Sequence, residues 1–432
     1  MLRKIFRSSI NIFKQLFNPL KVKLLDNPRK RKLAQHMQHK HQQLLSSIKG
    51  KEKIKVVFLA IHKSVWKVDP VFRKMLEDPY FEPEILVCPY TLYGEERMLE
   101  DMDKTFTFFK EKGYPVLKSL NSDGTWLGLS EIKPDIVFFT NPHNLTRKEY
   151  YEDAYLNYLS CYVPYFYLVT SHGNDQSLYN HLFHNLMWKI FMPHSDSMNL
   201  ARVVSSNDGM NCVLTGYPAC ESLFENNLVA CPWKKAQNKF KIIYAPHHTI
   251  ENAELQLSNF LIYAELMLDL VDSYKENVQW AFKPHPILKS KLYNHPDWGK
   301  EKTDKYYRMW SDGECSQLDE GEYDDLFISS DAIIHDCGSF LAEYLYLKKP
   351  VLYLLNPNTR NNLNGFGLSA LACCKHGVNK LSIINFVDFV IDNNRKEVDN
   401  APINNFHDVN IKPFFSGGGP SDKIINELRM LL

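Results

Sequence analysis

The feature that most constrains this chain is an alternation, sustained twice, between short apolar runs and longer stretches of helical spacing. Runs at 54–60, 84–88, 135–140, 165–170, 190–192 and 211–215 are rich in β-branched and aromatic residues. Between them, stretches such as 95–112 and 150–159 repeat apolar residues at intervals of three and four. A polar stretch over 222–240 interrupts the pattern, which restarts with strands expected at 241–245, 278–282, 332–334 and 351–354 and helices over 253–274 and 339–348. A last helix runs to Leu431. Strand–helix alternation builds parallel sheets, because a parallel pair needs a crossover connection. At 432 residues the chain also exceeds the roughly 250–300 at which one core stops growing. The expectation is an α/β fold of two Rossmann-like domains, 54–225 and 240–432, facing across a cleft, with ligand sites at the strands' carboxyl ends.

The first 53 residues stand apart. They carry 14 Lys and Arg against Asp26 and Glu52, whereas the remainder holds 37 basic and 48 acidic residues. Leu2, Ile5, Phe6, Phe13, Leu16 and Phe17 fall on one helical face, with Arg3, Lys4, Arg7 and Lys14 on the other, until Pro19. A second basic cluster, Arg29-Lys30-Arg31-Lys32, opens another helical stretch towards Leu45. The pattern predicts an arm lying on an anionic membrane surface; the competing reading is a helix packed on the protein's own body. No nucleic-acid motif accompanies the charge. No segment approaches the roughly 18–20 unbroken apolar residues of a membrane span. Nine scattered cysteines without zinc spacing fit reduced thiols in the cytoplasm.

Four loops carry residues suited to chemistry. Thr170-Ser171-His172-Gly173 follows an expected strand and offers a near-neutral base. Lys283-Pro284-His285-Pro286 follows another and presents a cation and an imidazole on a stiff turn, suited to a phosphate. Asp336-Cys337-Gly338-Ser339 leads into a helix whose free N–H groups favour an anion, although Ser339 also reads as a plain N-cap. Tyr244-Ala245-Pro246-His247-His248-Thr249 ends the first strand of the second domain. Adjacent histidines are expected to diverge, so no metal site is assigned there. The Gly417–Gly419 run lacks the spacing of a phosphate loop and reads as a connection.

In order, Ser171-His172-Gly173, Thr215-Gly216-Tyr217-Pro218, Tyr244-Ala245-Pro246, Lys283-Pro284-His285-Pro286, and Asp336 through Ser339 to Pro350 resemble the CDP-glycerol glycerophosphotransferase family, which builds teichoic acids and related capsule polymers. The resemblance covers roughly 160–425 and implies a GT-B-like fold on the inner membrane face. It implies His172 as general base and His285 as a second catalytic histidine at the donor phosphates. It further implies Lys283, Asp336, Gly338, Ser339, Pro246, His247 and Gly216 as donor-binding residues, with Glu343 where the family has Asp. Partners are then a CDP-activated polyol and a polymer or lipid-linked acceptor. No cofactor is implied beyond Mg²⁺ arriving with the donor. Two departures bear on the donor: Cys337-Gly338 replaces Tyr-Ser, and His247-His248-Thr249 replaces Thr-Trp-Arg. A sugar-nucleotide glycosyltransferase on the same fold and a polymer-binding scaffold are the alternatives.

Overall fold

The computed structural model describes residues 26–171, 175–234, 238–251, 255–392 and 401–432. Its chain divides into two units by Cα proximity. Among the described residues, the first holds 26–165, 175–215 and 421–432, and the second 166–171 and 216–420.

The first unit is built on seven parallel strands: β1 (Ile54–Ala60), β2 (Phe81–Val87), β3 (Val116–Lys118), β4 (Ile136–Phe139), β5 (Leu159–Tyr162), β6 (Lys189–Met192) and β7 (Cys212–Leu214), in the order β3-β2-β1-β4-β5-β6-β7. β1 reads IKVVFLA and is almost wholly buried, because a parallel sheet is covered on both faces. Phe58 stacks on Phe138 of β4 at 4.6 Å and meets Phe72 edge-on at 5.1 Å.

Two helices close this unit. The first, α1 (Asn27–Ile48), buries Ala34, Met37, His41 and Ile48. Lys30 Nζ donates to the Asn180 carbonyl at 2.5 Å, and Arg31 pairs with Asp208 at 3.1 Å while its Nε donates to the Ser206 carbonyl. For this part of the basic arm the packed reading holds, and two of the four cations of the 29–32 cluster are held by the protein. The expected helix over the first twenty residues lies outside the described residues. At the other terminus, α2 (Pro420–Leu431) returns to the first unit, where Glu427 pairs with Lys189 at 2.8 Å and Arg429 with Asp78 at 2.5 Å.

The second unit repeats the plan with six parallel strands: β8 (Phe240–Ala245), β9 (Val278–Phe282), β10 (Ser316–Leu318), β11 (Ala332–His335), β12 (Val351–Leu354) and β13 (Lys375–Gly377), in the order β10-β9-β8-β11-β12-β13. Its core gathers Trp280, Phe282, Phe260, Tyr306 and Trp310, with the Phe282 and Trp310 rings 5.0 Å apart. The order of the strands reverses between β8 and β11, which opens a crevice at their carboxyl ends. The polar stretch expected as a linker lies in this unit, and the division of the chain falls between Thr215 and Gly216.

The expected strand over 165–170 does not form. Pro164 has no N–H to give a sheet, and Leu168 sits in the left-handed region at φ 54°, which bends the segment. Its apolar residues pack instead. Tyr167 lies parallel to Phe366 at 5.4 Å and shares a hydrogen bond with the Tyr346 hydroxyl at 2.7 Å. An apolar run records burial, and burial alone does not separate a strand from a buried irregular segment. The helix expected over 253–274 is helical over Phe260–Ser273, and the one over 339–348 is α-helical only over Gly338–Glu343 before tightening to a 3₁₀ turn. Among the described residues, no helix is long and apolar enough to cross a membrane.

Candidate functional site

Three of the expected loops leave neighbouring strands of the second sheet at the same end. β8 delivers Pro246, His247 and His248; β9 delivers Lys283, Pro284 and His285; β11 delivers Asp336 to Ser339. β8 lies between the other two, with Tyr244 in register with Phe282 and Ala245 with His335.

Asp336 ties the crevice together. It is fully buried, and one carboxylate oxygen accepts the His247 N–H at 2.6 Å while the other accepts the Asn259 N–H at 2.6 Å. Desolvation pushes its pKa up to about 7 despite these hydrogen bonds. Both oxygens are therefore engaged by backbone, and the residue holds the β8 loop against the segment that starts the helix Phe260–Ser273. Asn259 was not singled out in the sequence; an asparagine just ahead of a helix carries no signal beyond capping.

The second loop is pinned similarly. The His285 N–H donates to the Pro246 carbonyl at 3.1 Å, and the Leu288 N–H returns to the His285 carbonyl at 2.9 Å. Lys283 is buried and pairs with Asp319 at 3.1 Å, with a further short hydrogen bond to the Gly321 carbonyl.

These contacts bring three imidazoles together. Ring centroids lie 4.3 Å apart for His247 and His248, 4.2 Å for His248 and His285, and 5.1 Å for His247 and His285. The expected divergence of adjacent histidines is thus corrected. The pair has left the strand, and in the bend that follows side chains no longer alternate between faces. Burial lowers the pKa of all three, with the charge of Lys291 acting in the same direction; that of His285 falls to about 4. They are neutral at pH 7. Sequence reading did not single out Lys291, which lies on the helix Leu288–Asn294 with nothing in its spacing to mark it.

In the third loop the helix Gly338–Glu343 is preceded by Cys337 at its N-cap, so Ser339 belongs to the first turn and is not the cap. A Cβ built on Gly338 would meet Thr170 and Val169 at 3.5 Å, an ordinary contact. Glu343 is buried and accepts a short hydrogen bond from the Tyr323 hydroxyl. Gly216 has a packing reason of its own: its φ is +86°, and a Cβ there would lie 2.7 Å from Phe414.

His172 lies outside the described residues, but the segment before it is described. Ser171 N–H donates to the Asn362 carbonyl at 3.0 Å, Thr170 bridges to Leu363, and Asn364 binds the Leu168 and Val169 carbonyls at 2.5 and 3.0 Å. The segment 168–171 thus belongs to the second unit and runs beside Gly338.

Residues 192–357 match the sequence model of the CDP-glycerol:poly(glycerophosphate) glycerophosphotransferase family. That stretch, somewhat over a third of the chain, is similar to the glycerophosphotransferase family. The match contains all three loops of the crevice, whereas His172 precedes it. No curated protein matches the chain by sequence. Solved structures agree on the fold. The wall teichoic acid polymerase TagF, as its H548A variant, superposes with a TM-score of 0.54 at 14% identity over 98% of this chain and 99% of that one. The S. aureus MnaA–UDP structure gives 0.53 at 17% identity over 87% and 96%. The UDP-GlcNAc 2-epimerase from Methanocaldococcus jannaschii gives 0.51 at 16% over 87% and 99%. The stretch similar to that family is thus carried by a chain with the GT-B-like fold of two parallel-sheet units.

Proposed function

We propose that this protein transfers glycerol phosphate from CDP-glycerol to a hydroxyl of a teichoic-acid-like or capsule polymer, or of its lipid-linked precursor, on the inner membrane face. The observation that carries this reading is a coincidence of place: the family match spans the three loops that the second sheet gathers where its strand order reverses, the place at which an open α/β sheet binds nucleotides.

His172 takes the proton of the acceptor hydroxyl. The resulting oxygen attacks the glycerol-side phosphorus, a new P–O bond forms, and the bond to the bridging oxygen breaks, releasing CMP. His285, neutral before the donor arrives, donates an N–H to the diphosphate. The first-turn amides at Gly338 and Ser339 face the same charge. Asp336 positions the His247 loop, and Lys283 braces the turn that carries His285. Fixed donors and in-line placement supply most of the acceleration in phosphoryl transfer.

Calorimetric titration with CDP-glycerol and UDP-N-acetylglucosamine tests the donor. CDP-glycerol binds, and His285→Gln weakens it by about tenfold, the cost of one charge-assisted hydrogen bond at roughly 1.4 kcal/mol. Preference for the sugar nucleotide would instead assign a glycosyltransferase.

A further inference from the structure

We infer that His247, His248 and His285 form a binding site for one divalent transition-metal ion of the zinc type. The three side chains offer nitrogen atoms that all lie within 4.8 Å of one another. Tetrahedral zinc bonds imidazole nitrogen at about 2.0–2.1 Å, which sets ligand nitrogens roughly 3.3 Å apart. Side-chain rotations that close the nitrogens by up to about 1.5 Å complete the set. Three imidazoles leave the fourth position of a tetrahedron open, the arrangement of zinc sites that bind a substrate oxygen.

Two further observations point to a ligand. His248 Nδ1 is buried and has no hydrogen-bond partner among the described residues, an arrangement costly for a ring nitrogen unless something else engages it. His247 Nδ1 lies 2.9 Å from the Thr249 hydroxyl. With the proton on Nδ1 shared with Thr249, Nε2 presents its lone pair, as metal-binding histidines commonly do. The Thr249 oxygen is itself fixed by the Leu257 N–H at 3.0 Å. His285 is the costliest ligand: its Nδ1 accepts the Ile287 N–H at 3.3 Å, a long bond that ligation through Nε2 with Nδ1 protonated gives up, and with the ion bound its contact to the diphosphate runs through the metal in place of its own N–H.

Lys291 lowers the proton affinity of all three rings, so its charge also opposes a lone cation. An anionic diphosphate on the open position offsets both charges. The ion is therefore bound more tightly with the donor than without it, and there it neutralises the departing phosphate. This role rests on the donor reading above; the binding itself does not. His247 and His248 occupy positions where the resemblance implies Thr and Trp, so the site belongs to this chain's own sequence.

The test uses full-length protein stripped with EDTA and titrated with Co²⁺, following visible absorption, with bound metal measured by mass spectrometry after desalting. Wild type takes up about one ion per chain with a nitrogen-ligand tetrahedral spectrum. His248→Ala weakens uptake at least about tenfold, and Thr249→Val does so by about tenfold through the His247 ring. Zinc raises the Tm of wild type and leaves that of His248→Ala unchanged, with circular dichroism confirming that both fold. The proposal is overturned by absence of uptake, by a sulfur-ligand spectrum, or by undiminished uptake in His248→Ala. It is also overturned if stripped wild type binds inorganic pyrophosphate without metal and His248→Ala abolishes that binding, which would make the cluster an anion site. Because metal uptake is read without CDP-glycerol, failure of the donor assignment leaves this result intact.

Discussion

Asp336 shows how a buried charge organises the crevice: each of its oxygens holds a backbone N–H 2.6 Å away, at the two ends of the connection from β8 to the helix Phe260–Ser273. Fully buried carboxylates are costly, and this one's pKa is raised to about 7 as a result. Several histidines bear the opposite shift. Burial lowers His41 to about 4 and His184 and His335 to about 3. In the unfolded chain each titrates near 6.5, so as pH falls from about 6.5 to 4 the unfolded state takes up protons that the folded state refuses. The stability these groups provide is present above pH 6.5 and is lost through that window. Asp336 opposes the trend, because its folded form binds a proton first, but it is one group against these three and the three crevice histidines. The Tm is expected to fall by roughly 5–10 °C between pH 7 and pH 4.5, and His335→Gln to flatten the slope. A flat profile in a scanning fluorimetry series would contradict the assignment of these rings as neutral. At this scale the sequence showed which residue types stood on which loops. It could not show that His247 and His248 converge, because side-chain direction in a bend depends on the bend.

The element that holds the segment 168–171 is the helix Gly365–Leu371. Asn364 caps it by accepting the Gly367 N–H at 2.9 Å, and the same residue binds the Leu168 and Val169 carbonyls. Gly367 has no Cβ because one would collide with the Val169 carbonyl oxygen. Gly367→Ala therefore displaces the segment that leads to His172. The expected result is a stability loss of about 1–3 kcal/mol and turnover reduced about tenfold, with donor affinity changed less than about twofold. Denaturant unfolding, steady-state turnover and calorimetry read the three quantities; unchanged turnover would sever this segment from catalysis. Most elements were legible because parallel strands buried on both faces are continuous apolar runs: 54–60, 278–282 and 351–354 are recovered residue for residue. β3, β10 and β13, three residues each and partly polar, leave no such signature. The 165–170 run misled because Leu168 adopts a left-handed conformation that its side chain does not announce.

For the whole molecule, the charge asymmetry divides in two. The cations on α1 that are spent on Asn180, Ser206 and Asp208 serve the fold, so the proposed attachment to a membrane would rest on residues 1–25 with exposed Arg29 and Lys32. Full-length protein should sediment with anionic phosphatidylglycerol vesicles in a salt-sensitive manner, and a chain beginning at Asp26 should not. Equal sedimentation of the two would return the arm to a purely structural role. The two-unit architecture was legible because the strand–helix alternation restarts, and the likeness to the glycerophosphotransferase family over 192–357 because short motifs recur in order. The transferred group was less so, since the departures at 247–249 and 337–338 fall at the loops expected to read the donor. The most direct test of glycerophosphate transfer is phosphorus NMR of CDP-glycerol incubated with the protein and a lipid-linked acceptor. The account predicts a CMP resonance that grows with wild type and is absent with His172→Ala. CMP release by His172→Ala at the wild-type rate, or no release from CDP-glycerol alongside turnover of a sugar nucleotide, would contradict it.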